Sequence, residues 1–139
     1  MLLKEIMTHN VEVVSPGDTL EQAARKMQEL NVGPMPVCEG NRVVGMLTDR
    51  DITVRATAAG CDPKATLVAD AMTQDIIACY DDQDVRDAAR LMKEKQVRRL
   101  LVLSRANDLV GIVSLGDLAT EAGDPGQPGE VLQKVSEPA

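Results

Sequence analysis

Apolar residues at Leu20, Ala23, Ala24, Met27 and Leu30 recur at i, i+3, i+4, i+7 and i+10, which predicts one face of a helix. Val85, Ala88, Ala89 and Met92 repeat that spacing 65 residues later. After each helix come two short apolar runs, Met35 to Cys38 with Arg42 to Leu47, then Val97 to Leu103 with Leu109 to Val113. Both pairs read as hairpins. Short strands are predicted ahead of the helices, at Val11 to Val14 and Ile76 to Cys79, and helical turns at Lys4 to Met7 and Leu67 to Met72. Asp18 and Glu21 have capping-box spacing, with Asp18 as the cap, and Asp81, Asp82 and Asp84 mark the matching start. Asn31-Val32-Gly33-Pro34 stops the first long helix. A further helix is predicted from Asp49 to Ala59, ended by Gly60, and its counterpart from Asp117 to Ala122.

The pattern is an internal repeat. Met7-Thr8 returns as Met72-Thr73, 65 residues on, and Gly45 returns as Gly111, 66 residues on. The extra residue falls at a hairpin tip, Glu39-Gly40-Asn41 against Ser104 to Asp108, where insertions are tolerated. This divides the chain into residues 1–66 (first repeat with the linker Cys61 to Thr66), 67–122 (second repeat) and 123–139 (a tail opening on the flexible breaker Gly123 to Gly129). A repeat of roughly 60 residues is too small to bury a sheet well, so two copies sharing one core are expected.

The best-defined stretch is Val44-Gly45-Met46-Leu47-Thr48-Asp49-Arg50-Asp51-Ile52, and it returns as Val110 to Leu118. Each copy holds a glycine, two apolar residues, a hydroxyl residue, two variable positions and an aspartate. A hydroxyl and a carboxylate at that spacing, at a helix start, suit a phosphate and a ribose. Asp51 and Asp117 can accept from two sugar hydroxyls, because a carboxylate has two accepting oxygens. Thr48 and Ser114 can donate to a phosphate beside helix N-terminal amides, and Arg50 lies near the same terminus. Helix capping and a favourable dipole account for the same residue types without any ligand.

Composition narrows the function classes. Of 139 residues, 44% are hydrophobic, yet there is no Phe or Trp and one Tyr, Tyr80. The core must be aliphatic, and few aromatic platforms exist for stacking bases. A net charge of −7 does not suit duplex binding, so no nucleic-acid partner is expected. No apolar run approaches the ~20 residues of a membrane span, and Met1 to Ile6 does not begin a signal peptide, so a cytoplasmic protein is expected. Cys38, Cys61 and Cys79 form neither a disulfide framework nor a zinc pattern. His9 is the one histidine. No nucleophile with a base, metal cluster or phosphate-cradling glycine loop is visible, so neither an enzyme nor a metal site is expected.

Taken in order, Ile6-Met7-Thr8, Ala71-Met72-Thr73, the Ala-Ala-x-x-Met helices, Val97-Arg98-Arg99-Leu100 and the two Gly-x-x-Thr/Ser-x-x-Asp stretches resemble a tandem pair of cystathionine-β-synthase (CBS) domains, or Bateman module. The resemblance runs from Ile6 to Ala122 and is nearest to free-standing bacterial pairs. It implies an α/β (α+β) fold of two β-α-β-β-α units in pseudo-twofold arrangement, with sheets packed together, helices outside and two clefts between the repeats. It implies homodimers, to which the apolar stretch Ile52, Val54, Ala56, Ala58 and Ala59 would contribute. It also implies reversible binding of an adenosyl ligand (AMP, ADP, ATP or S-adenosylmethionine) rather than a tightly held cofactor. By the same resemblance, Arg98 or Arg99 points into a cleft; neighbouring strand residues face opposite sides, so only one of them can do so easily. An arginine fork suits phosphate oxygens. Gly33 holds the matching position in the first repeat, so the two clefts should be unequal. One departure is Leu100-Leu101-Val102, where the family usually has Leu-Pro-Val. Two functions remain: a nucleotide sensor acting on an unknown protein target, favoured by the Thr48/Asp51 and Ser114/Asp117 pairs, and a ligand-free interaction module working through dimerisation.

Overall fold

The computed structural model describes residues 1–121, so the expected tail at 123–139 lies outside the described residues. The fold is mixed α+β, with a two-stranded and a three-stranded sheet. The described chain forms two compact units, one of Glu12–Ile76 and the other of Met1–Val11 with residues 77–121.

In the Glu12–Ile76 unit, α1 spans Leu20–Leu30. Its cap is Thr19, not Asp18: Thr19 Oγ1 accepts from the Gln22 amide at 3.2 Å, and Gln22 Oε1 accepts from the Thr19 amide at 2.9 Å. Asp18 instead accepts from the Ser15 amide, closing the preceding turn. Leu20, Ala23 and Met27 are buried, whereas Ala24 and Leu30 are exposed, because a two-stranded sheet offers a narrow surface to cover. Asn31 ends α1 in the left-handed conformation, at φ 54°. Strands β1 (Met35–Glu39) and β2 (Arg42–Leu47) form the antiparallel hairpin, turned at Gly40 with φ 62°. The strand expected at Val11 to Val14 shrinks to one bridge: the Val14 amide donates to Pro36, and its carbonyl accepts from Cys38. The Val13 carbonyl takes the Lys26 ammonium instead, at 2.7 Å, so the ladder does not extend to it.

The second helix of this unit also departs from expectation. It starts as α2, Asp49–Asp51, and continues as a π-helix over Ile52–Thr57. The β-branched run Ile52-Thr53-Val54 fits the tighter α form poorly, and Thr53 Oγ1 donates to the Asp49 carbonyl at 3.1 Å. Gly60, at φ 77°, follows the helix end. A short helix α3, Val68–Ala71, completes the unit.

In the other unit, a 3-10 turn at Leu3–Glu5 replaces the turn expected from Lys4. Strand β3 (Ala78–Tyr80) begins two residues later than expected and pairs in parallel with β4 (Arg99–Leu103). Helix α4 (Val85–Lys95) makes the crossover, and its four periodic residues are all buried. The Val97 amide donates to the Met92 carbonyl at the helix end, so β4 starts only at Arg99. Strand β5 (Leu109–Ser114) is antiparallel to β4 and runs into α5 (Leu115–Glu121). Both hairpins carry a register shift at corresponding places, Val37/Cys38 and Val102/Leu103.

The units interleave the sequence repeats. Thr8, from the start of the first repeat, exchanges backbone hydrogen bonds with Ile112 at 2.8 and 3.0 Å. Thr73, from the start of the second, does the same with Met46 at 2.8 and 2.9 Å. Each Met-Thr pair therefore extends the other repeat's hairpin. The glycines are required there: a Cβ on Gly111 would stand 2.5 Å from Met7 Sδ, and one on Gly45 would stand 2.7 Å from the Thr73 carbonyl oxygen. The core of each unit is aliphatic, and no described polar side chain is buried.

Candidate functional site

The last residue before each second helix is a hydroxyl residue that caps it. Thr48 Oγ1 accepts from the Asp51 amide at 3.0 Å, and Asp51 Oδ2 accepts from the Thr48 amide at 3.0 Å. Ser114 Oγ accepts from the Asp117 amide at 3.1 Å, and Asp117 Oδ2 accepts from the Ser114 amide at 2.8 Å. Each aspartate is thus oriented by its own backbone. A carboxylate offers about four lone pairs, and this bond uses one, so capping and acceptance from a ligand are compatible.

At the β4–β5 end the structure gathers Arg98, Arg99, Ser114 and Asp117. Arg99 is the register partner of Ser114, and the Arg98 carbonyl accepts from the Leu115 amide at 2.8 Å. Both arginine side chains are exposed. At the β1–β2 end it gathers Thr48, Arg50 and Asp51. Arg50 is exposed, and its amide donates to Asp49 Oδ1 at 3.0 Å. Gly33 stands where the other unit has Arg98: its carbonyl accepts from the Asp49 amide at 3.2 Å.

Two further residues, neither of them read from the sequence as a site candidate, lie beside these groups. Arg55 Nε lies 3.8 Å from Asp51 Oδ1, the carboxylate being about one-sixth exposed. The i, i+4 spacing of Asp51 and Arg55 is a readable signal for that pair. Asp49 lies over Gly33, and no spacing rule connects the two.

The thiols add no chemistry to these groups. Burial raises the Cys38 pKa, and burial together with the nearby Asp87 charge pushes Cys79 up to about 11. Cys61 is exposed. Among the described residues no three His, Cys, Asp or Glu side chains group to hold a metal ion, and no helix is long and apolar enough to cross a membrane.

The family model described as CBS domain matches residues 3–56 and 68–124. The chain is a tandem pair of CBS domains. It is 41% identical over 134 residues to the CBS domain-containing protein YhcV of Bacillus subtilis, covering 96% of this chain and 94% of that one. It is 40% identical over 118 residues to hypoxic response protein 1 of Mycobacterium tuberculosis, covering 84% and 81%. A crystal structure of Hypoxic Response Protein I with two coordinated zinc ions superposes with a TM-score of 0.77 at 35% identity, covering 87% of this chain and 98% of that one. A crystal structure of CBSX2 in complex with AMP superposes with a TM-score of 0.73 at 28% identity, covering 87% and 95%. As a CBS pair, the chain is a regulatory module and not an enzyme.

Proposed function

We propose that this CBS pair is a sensor of an adenine nucleotide, of the AMP, ADP or ATP kind, with S-adenosylmethionine as a further candidate. The observation that carries the reading is the pair of matching constellations, each an aspartate oriented by its own backbone beside a helix-capping hydroxyl. Asp51 and Asp117 accept from ribose hydroxyls. Thr48, Ser114, Arg50 and one of Arg98 or Arg99 meet phosphate. The similarity to CBSX2, whose crystal structure holds AMP, supports the class of ligand. The output is a change in a protein target, passed on by a homodimer. A cytoplasmic setting belongs to the same reading, supported by three cysteines without a pairing pattern.

The test is calorimetric titration with AMP, ADP, ATP and S-adenosylmethionine. Loss of a charge-assisted hydrogen bond costs about 1.5–3 kcal/mol, so Asp51→Ala or Asp117→Ala should weaken one binding event about 10- to 150-fold and leave the other nearly intact. The capping boxes close without any ligand, which favours a second reading, an interaction module that binds none. Absence of binding by all four ligands selects that second reading.

A further inference from the structure

Arg55 stands on the π-helix, four residues after Asp51, and reaches two separate parts of the Glu12–Ile76 unit. Its Nε lies 3.8 Å from Asp51 Oδ1, and its Nη1 donates to the Met72 carbonyl at 3.4 Å. An i, i+4 ion pair alone is an ordinary feature of a helix surface. The second contact is not local: Met72 is 17 positions from Arg55, and the next residue, Thr73, exchanges backbone hydrogen bonds with Met46 in β2. Met46 stands two residues before Thr48, whose amide donates to Asp51 Oδ2 at 3.0 Å. The contacts close a ring from Asp51 through Arg55, Met72–Thr73, Met46 and Thr48 back to Asp51. Both carboxylate oxygens are held within it, Oδ2 by a hydrogen bond and Oδ1 by charge. At 3.8 Å the guanidinium is beyond hydrogen-bond reach of Oδ1, so the lone pairs of that oxygen stay open to other donors. The other repeat does not encode this ring. Asp117 follows Asp51 by 66 positions, and the residue that follows Arg55 by 66 positions is a glutamate, Glu121.

We infer that Arg55 is a positioning residue: braced on the Met72 carbonyl, it holds the Asp51 carboxylate in the orientation that accepts from ribose hydroxyls. This rests on the adenosyl-binding reading above, in which Thr48 and Arg50 meet the phosphate of the same half. Arg55 acts on the sugar through Asp51 and leaves those phosphate contacts unchanged. A carboxylate fixed at both oxygens before the ligand arrives loses little freedom when the ligand binds, so more of each sugar hydrogen bond appears as affinity. Arg55 is about half exposed, so its share is that of one partly solvated ion pair.

The experiment is calorimetric titration of the full chain with AMP and with 2′,3′-dideoxy-AMP. The phosphate is common to both, so the ratio of the dideoxy-AMP Kd to the AMP Kd reads the sugar contact alone. Asp117→Ala weakens the second half, and the ratio is then measured with and without Arg55→Gln, which removes the charge and keeps a polar, unbranched side chain. The expected ratio with Arg55 present is about ten or more, the loss of a charge-assisted hydrogen bond. Arg55→Gln should lower it about two- to fivefold, by weakening AMP and leaving dideoxy-AMP nearly unchanged. In Asp51→Ala, where the second half reports, Arg55→Gln should not move the ratio. A merely structural role for Arg55 would weaken both nucleotides alike. An unchanged ratio in the Asp117→Ala background, or an equal fall in the ratio once Asp51 is gone, overturns the positioning role while adenosyl binding stands. Absence of AMP binding by the wild type overturns both.

Discussion

Asp82 shows how an exposed residue acquires a defined titration. The Arg105 Nε donates to both of its oxygens, at 3.0 and 2.9 Å, and the guanidinium lies 4.2 Å from the centroid of the Tyr80 ring. The hydrogen bond from Arg105 holds the Asp82 carboxyl below its usual range; desolvation opposes this, and the Arg105 charge reinforces it. A folded-state pKa below the unfolded value contributes stability that is present above the unfolded pKa, near about 3.9, and is lost as pH falls through the folded value. Carboxyl-detected NMR titration should find Asp82 titrating lower than an ordinary aspartate. In Arg105→Ala it should return upward. An unchanged Asp82 curve in that variant would show that the pair is not formed in solution.

The hairpins are where glycine and methionine of different repeats meet. Extra atoms in a filled space cost about 1–3 kcal/mol. Gly45→Ala places its Cβ 2.7 Å from a backbone oxygen, that of Thr73, whereas Gly111→Ala meets chiefly the end of the flexible Met7 side chain. Thermal denaturation should therefore show both variants destabilised, Gly45→Ala more than Gly111→Ala. Gly17→Ala, with nothing within 4 Å of the new carbon, should show no comparable loss. Equal melting temperatures for Gly45→Ala and Gly17→Ala would contradict the close approach. The helix after β2 gives a complementary lesson. Its start at Thr48 was legible from the capping residue, but its π form was not, because it depends on how Thr53 and its β-branched neighbours meet the preceding turn.

For the whole molecule, the interleaving of repeats has a direct consequence. Leu3 precedes the first hairpin in sequence, yet it is fully buried among Cys79, Ala88, Met92 and Val113. Leu3→Ala should cost about 2–5 kcal/mol. Its effect on hydrogen exchange should concentrate on the Ile112 amide, which donates to Thr8, and not on the Met46 amide. Faster exchange at Met46 alone would contradict the pairing. A homodimer is the expected assembly, since the apolar Val54 side chain on the π-helix is left about half exposed. Light scattering at micromolar concentration should give twice the mass of the chain, and monomer mass alone would count against it.

The sequence by itself determined what depends on local spacing. The apolar period set α1 and α4, the hydroxyl and aspartate three residues apart set the start of α2 at Asp49, while α5 starts at Leu115, two residues before the expected Asp117, and the 65-residue recurrence revealed the tandem pair. The candidate residues Thr48, Asp51, Ser114 and Asp117 were legible for the same reason, because capping is a contact across one turn of chain. Tertiary structure decided what depends on distant partners. It drew Lys26 to the Val13 carbonyl and so reduced a strand to one bridge. It brought the Asp49 amide to the carbonyl of Gly33, 16 positions away. It also gave each Met-Thr pair to the other repeat's hairpin, because an unpaired strand edge bonds whichever backbone the fold brings beside it, and sequence order does not state which one that is.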